Sequence, residues 1–64
     1  MEASSHKCLR SRPGYWCDVV YSPDDGGWYL QEVNGTDSRV SKKIYRTEAE
    51  ARRAYESERV RWTR

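Results

Sequence analysis

Phenylalanine is absent from this chain, histidine and methionine occur once each, proline and cysteine twice, and no apolar run is long enough to span a bilayer. A single histidine, His6, leaves no Ser, His and Asp arrangement to assemble, and no carboxylate pair falls in an expected cleft, so the chain is not expected to be an enzyme. His6, Cys8 and Cys17 are irregularly spaced, unlike the paired cysteines of structural zinc sites, so neither a metal nor a cofactor is expected. Asp24-Asp25-Gly26-Gly27 lacks the later ligands of a calcium loop and is read as a turn. No apolar leader or membrane anchor is visible, which makes a cytoplasmic protein with free thiols the expectation, Cys17 acting as a small buried hydrophobe.

What is present bounds the core. The chain has 64 residues, and a domain of that size buries only roughly 60% of the surface its unfolded form exposes. Five Tyr and three Trp carry the aromatic load. Their polar tips need partners or a place at the core's edge, and a second copy sharing the core is one way to supply it. Twelve Lys and Arg stand against ten Asp and Glu, a formal charge of +2, which alone does not call for an anionic partner. The cations cluster instead, as Lys7, Arg10 and Arg12, as Arg39, Lys42, Lys43 and Arg46, and as Arg59, Arg61 and Arg64.

Met1 to Ser11 reads as a flexible basic arm, and residues 12–64 as one domain opened by Arg12-Pro13-Gly14. Tyr15–Tyr21 is rich in β-branched and aromatic residues and predicts a first strand. Ser22 to Gly27 has the proline and glycines of a turn. Trp28–Val33 predicts a second strand, and Asn34-Gly35 signals a hairpin whose loop Thr36-Asp37-Ser38 lengthens. Arg39–Tyr45 predicts a third.

Thr47 and Glu50 then form a capping box, the hydroxyl accepting from the amide three residues on and the carboxylate reaching back to the amide of Thr47. Ala51, Ala54, Tyr55, Glu58 and Trp62 follow on one helical stripe. Glu48 with Arg52 and Arg52 with Glu56 are i,i+4 pairs on a solvated face. The expected fold is therefore α+β, a three-stranded antiparallel sheet (β-β-β-α) packed on one C-terminal helix.

Alternation divides the strands into two faces. Tyr15, Cys17, Val19, Tyr21, Trp28, Leu30, Val40 and Ile44 are expected to meet the helix, with Lys42 at the edge of that set. Trp16, Asp18, Val20, Tyr29, Gln31, Val33, Ser41, Lys43 and Tyr45 are expected outside. That outer set is apolar for a face meeting only water, the signature of a docking surface.

The segments Gly27-Trp28-Tyr29-Leu30-Gln31-Glu32-Val33, Arg39-Val40 and Tyr45-Arg46-Thr47-Glu48-Ala49-Glu50-Ala51-Arg52-Arg53-Ala54-Tyr55 resemble the AP2/ERF DNA-binding domain and the arm-binding domains of tyrosine integrases. The resemblance implies a three-stranded sheet whose outer face enters the DNA major groove while the helix backs it. Transferred to this chain, it would give groove-facing roles to Arg39, Ser41, Tyr29, Gln31, Val33 and the outer positions of the first strand.

Two functions remain open on these grounds. One is a non-enzymatic module binding a protein partner, or its own copy, through Trp16, Val20, Tyr29, Val33 and Tyr45. The other is DNA binding, with Arg39, Lys43, Gln31 and Tyr29 on the sheet and Arg10 and Arg12 on the arm tracking phosphate. Neither a membrane nor a small-molecule substrate is expected.

Overall fold

The computed structural model describes residues 6–63, so Met1–Ser5, the front of the expected arm, lie outside the described residues. The fold is α+β, one antiparallel sheet in the order β1-β2-β3-β4 with a helix after it. The strands are β1 (His6–Arg12), β2 (Tyr15–Ser22), β3 (Gly27–Asn34) and β4 (Asp37–Val40), followed by α1 (Glu48–Glu56).

The first strand is the main addition to the expected fold. His6–Arg12 pairs antiparallel with β2, placing Arg12 opposite Tyr15 and Lys7 opposite Val19. Its weak apolar content reads as an arm, but the strand lies at the sheet edge, where only Leu9 touches the core. Pro13-Gly14 is thus a hairpin turn rather than a boundary. Gly14 has φ +79°, the conformation the third residue of a Pro-Gly turn requires.

The second correction concerns the hairpin after β3. Asn34 pairs with Asp37, so the loop is only Gly35-Thr36, with Gly35 at φ +65°, matching two-residue turns that put glycine first. This short loop places Arg39 opposite Glu32 and Val40 opposite Gln31. Arg39 therefore shares the helix-side face with Glu32, and Val40 is turned outward, the reverse of the expected phase.

The expected third strand also breaks. Ser41 accepts from the Leu30 amide through its hydroxyl at 3.0 Å and donates to the Lys43 carbonyl at 3.0 Å. Lys42–Ile44 then loop out, and Tyr45 rejoins opposite Trp28 through two backbone bonds of 2.8 and 2.7 Å. Ser41 and Tyr45 are consequently buried on the helix side, while Ile44 is exposed.

Helix α1 starts as the sequence indicates, Thr47 Oγ1 accepting from the Glu50 amide at 3.1 Å. The Glu50 carboxylate, however, takes the amide of Arg46 and not that of Thr47. The Glu48–Arg52 pair forms at 3.0 Å; Arg52–Glu56 is not among the ion pairs of the described residues. The helix stops at Glu56, short of the expected stripe, because Glu58 adopts φ +57°. Its amide and that of Arg59 return to the Tyr55 and Ala54 carbonyls, the left-handed cap that closes many helices. The tail then doubles back beside β4. Lys42 donates to the Arg61 carbonyl, Thr63 donates to that of Val40, and Ser41 bridges Trp62.

The core is Cys17, Val19, Leu30, Tyr45 and Ala51, ringed by Leu9, Tyr15, Trp28, Ala54, Tyr55, Val60 and Trp62. Ala51 is fully buried, the small side chain that lets α1 approach β2 and β3. Gly27 carries the closest approach. A Cβ there would meet the Ile44 side chain and lie 2.6 Å from the Tyr45 carbonyl oxygen, so the return of the chain to β3 depends on its absence. Gly27→Ala is expected to destabilise the protein by about 2 kcal/mol, read as a lower urea midpoint. Gly14→Ala tests backbone conformation alone, since no atom lies within 4 Å of a Cβ there, and is expected to fall short of the Gly27 effect.

Candidate interaction surfaces

Residues opposite one another in an antiparallel pair share a face, so the strand registers define the face that α1 does not cover. It has four rows. Ser11, Trp16, Val33 and Ser38 form the first, Cys8, Asp18, Gln31 and Val40 the second, His6, Val20 and Tyr29 the third, and Ser22 and Gly27 the fourth. Two apolar pairs, Trp16–Val33 and Val20–Tyr29, thus flank a polar centre. Asp18 faces His6 at 3.7 Å, and its side chain is only 16% exposed. Trp16, Val20, Tyr29 and Val33 are all half-buried by their neighbours within the sheet.

The basic residues assigned to DNA lie elsewhere. Arg39 turns inward, its Nε donating to Glu32 Oε1 and its guanidinium 4.7 Å from the Trp62 ring. Arg10 and Arg12 stand opposite Cys17 and Tyr15, on the helix side, with Arg12 5.1 Å from the Tyr15 ring. Lys43 sits in the loop beyond β4, 5.2 Å from the Tyr45 ring. Of that set only Gln31 and Tyr29 are on the open face. Among the residues assigned to a protein partner, Trp16, Val20, Tyr29 and Val33 are there, whereas Tyr45 is 5% exposed in the core. Its aromatic character reads equally well on either face. The two-residue hairpin decides between them.

The edges of the sheet are less open than its face. The tail partners β4, and β1 carries Lys7, Arg10 and Arg12 with a register break between Cys8 and Arg10. Charge and a bulge are the usual guards against pairing by another strand. Lys7 is also tied to Glu48 of α1 at 3.7 Å.

A polar cluster on the helix side escaped the alternation reading. Glu32, 9% exposed, accepts from the Tyr15 hydroxyl at 2.7 Å as well as from Arg39, and the Tyr15 and Tyr55 hydroxyls lie 2.7 Å apart. Glu32 shares its parity with Trp28 and Leu30, the signal by which it could have been found. Burial, then the bonds to Tyr55 and Glu32, hold the Tyr15 phenol well above its ordinary range. Burial alone raises Tyr45.

Cys17 is fully buried while Cys8 is exposed, and both are free thiols. Cys8 pairs in register with Asp18, on the other face from Cys17. Among the described residues, no group of three or more His, Cys, Asp or Glu is placed to hold a metal, and no helix is long and apolar enough to cross a membrane. Compared with known protein families, curated proteins and solved structures, the chain has no match.

Burial, and then the charge of Glu32, pushes the Cys17 thiol up from 9.0 to about 12. The fold therefore keeps a proton that the unfolded chain releases first. The stability this contributes is complete below pH 9.0 and is lost as the pH climbs towards about 12, at up to about 1.4 kcal/mol per pH unit. Tyr15 and Tyr45 act in the same sense at higher pH. Urea midpoints measured from pH 8 to pH 11 are expected to fall, and Cys17→Ala to flatten the early part of the decline. An unchanged slope in that variant would show that the thiol keeps an ordinary ionisation.

Proposed function

We propose that this protein is a binding module and not an enzyme, and that it docks another protein through the outer face of its sheet. The observation behind this reading is the pairing of Trp16 with Val33 and of Val20 with Tyr29 on a face that no described element of the chain covers. Apolar pairs framing a polar centre suit a protein surface, where burial supplies affinity and the Asp18–Gln31 row supplies specificity. Duplex DNA is the less favoured partner for this face. A surface meeting phosphates needs cations, and Arg39, Arg10 and Arg12 are on the other side.

Size argues for a separate partner over a second copy. Strands about 4.8 Å apart with a rise of about 3.3 Å per residue give this face an area on the order of 400 Å². Two copies stacked face to face would bury on the order of 800 Å², below the roughly 1,200 Å² at which stable interfaces begin. A larger protein that also reaches past the strands can bury more, and self-association through this face is expected to be weak.

The test is positional crosslinking in the native cell. Val20→p-benzoylphenylalanine is expected to give a discrete protein adduct on irradiation, and the same replacement at Asp24, in the exposed turn between β2 and β3, to give none. Nucleic-acid adducts from Val20, or equal yields from both positions, would contradict the proposal.

A further inference from the structure

The strongest concentration of charge lies away from the outer face. Lys42 and Lys43 of the loop after β4, Arg53 and Ser57 at the end of α1, and Arg59 and Arg61 of the tail surround a groove of about 830 Å³. Glu50 is the one carboxylate on its wall, and Tyr45 and Ala54 form its floor. The groove thus has an excess of four positive charges on a chain whose total excess is two. None of its five cations makes an ion pair with a carboxylate among the described residues. All five are exposed.

The arrangement is built rather than incidental. The tail is fixed beside the loop by the bond from Lys42 to the Arg61 carbonyl at 2.7 Å, and the turn that aims it depends on the left-handed Glu58. The amides of Glu58 and Arg59 already occupy the Tyr55 and Ala54 carbonyls, so these helix-end acceptors are satisfied and leave the cations to an incoming ligand.

We propose that this groove binds an acidic peptide segment that alternates carboxylates with apolar side chains. The carboxylates would meet the charged ends of the lysines and arginines, and the apolar side chains would meet half-buried Ala54 and the methylene stems of those same basic residues, which complete the floor over the buried Tyr45. Charge complementarity selects an anion, and the floor selects between anions. Single-stranded nucleic acid is held largely by bases stacking on open aromatic rings. The ring in this groove, Tyr45, is 5% exposed and has Lys43 5.2 Å from its centroid. This site is independent of the sheet face proposed above.

The probe is a fluorescein-labelled peptide of about eight residues alternating Glu and Leu, roughly 27 Å when extended, against a molecule measuring 29 × 28 × 19 Å. Fluorescence anisotropy at low salt is expected to show saturable binding that weakens as salt rises. The double variant Arg53→Glu with Arg61→Glu is expected to weaken it at least about tenfold. Arg10→Glu/Arg12→Glu, the same change in net charge outside the groove, and Val20→Ala on the outer face are expected to shift it less than about twofold.

Near-UV circular dichroism checks the fold of each protein. Should the Arg53/Arg61 variant be unfolded, the exposed pair Lys42→Gln with Lys43→Gln gives the same reading, with a loss of about threefold or more. No binding, an equal loss from the Arg10/Arg12 control, or tighter binding of an oligothymidylate of matching charge would overturn the proposal. Loss of peptide binding in Val20→Ala would transfer the activity to the sheet face.

Discussion

The buried carboxylate of Glu32 is the interaction on which the arrangement of this small domain depends. From the middle of the sheet it accepts from Tyr15 on β2 and from Arg39 on β4. Tyr15 extends the contact to Tyr55 on α1, and Arg39 extends it to Trp62 in the tail. Three strands, one helix and a returning tail thus converge on one acidic group whose partners satisfy it. A charge so placed is strongly destabilising when one partner is removed, because the remainder stays buried without compensation. A chain without phenylalanine can accept such a centre. Its large core residues bring hydroxyls and ring nitrogens that must be satisfied inside, and Tyr15 and Tyr55 satisfy each other at the margin of the carboxylate.

The same interaction determines which surface remains available to partners. Because Arg39 is drawn in to Glu32, Val40 turns outward beside Gln31, and the open face loses its strongest candidate for phosphate while gaining an apolar residue. The cations of β1 lie at an edge that is guarded against further pairing. Five further cations without a carboxylate partner among the described residues gather where the β4 loop, the helix end and the tail meet. Two surfaces of different chemistry therefore sit on opposite sides of the sheet, one nearly neutral and ridged with aromatic and branched side chains, the other cationic over an apolar floor.

Much of this was legible in the residues. Strands β2 and β3, their turn, the Thr47 cap and the α+β class follow from alternation, turn chemistry and capping. Cys17, Val19 and Leu30 belong to the core as their parity indicates. Strand β1 was hidden because an edge strand with one face to solvent needs few apolar residues, and Lys7, Arg10 and Arg12 disguise it as an arm. The phase of β4 was misread because Val40 and Ile44 look like core residues, whereas a two-residue loop at Gly35-Thr36 and the pairing of Glu32 with Arg39 outweigh their hydrophobicity. The helix seemed to run on to Trp62 because Glu58, a good helix former, gives no sign of a left-handed cap usually made by glycine. The cationic groove is assembled from three separate segments, so no local window contains it.

Glu32 is therefore the place to measure. A double-mutant cycle combining Glu32→Gln with Arg39→Met, read as unfolding free energy in urea, isolates their coupling from the loss of either side chain alone. With Arg39 drawn into the cluster and 41% exposed at its side chain, a coupling of about 1–2 kcal/mol is expected, discounted for solvent screening at the arginine. Additive effects within about 0.3 kcal/mol would place Arg39 away from Glu32 and contradict the assignment of the two faces.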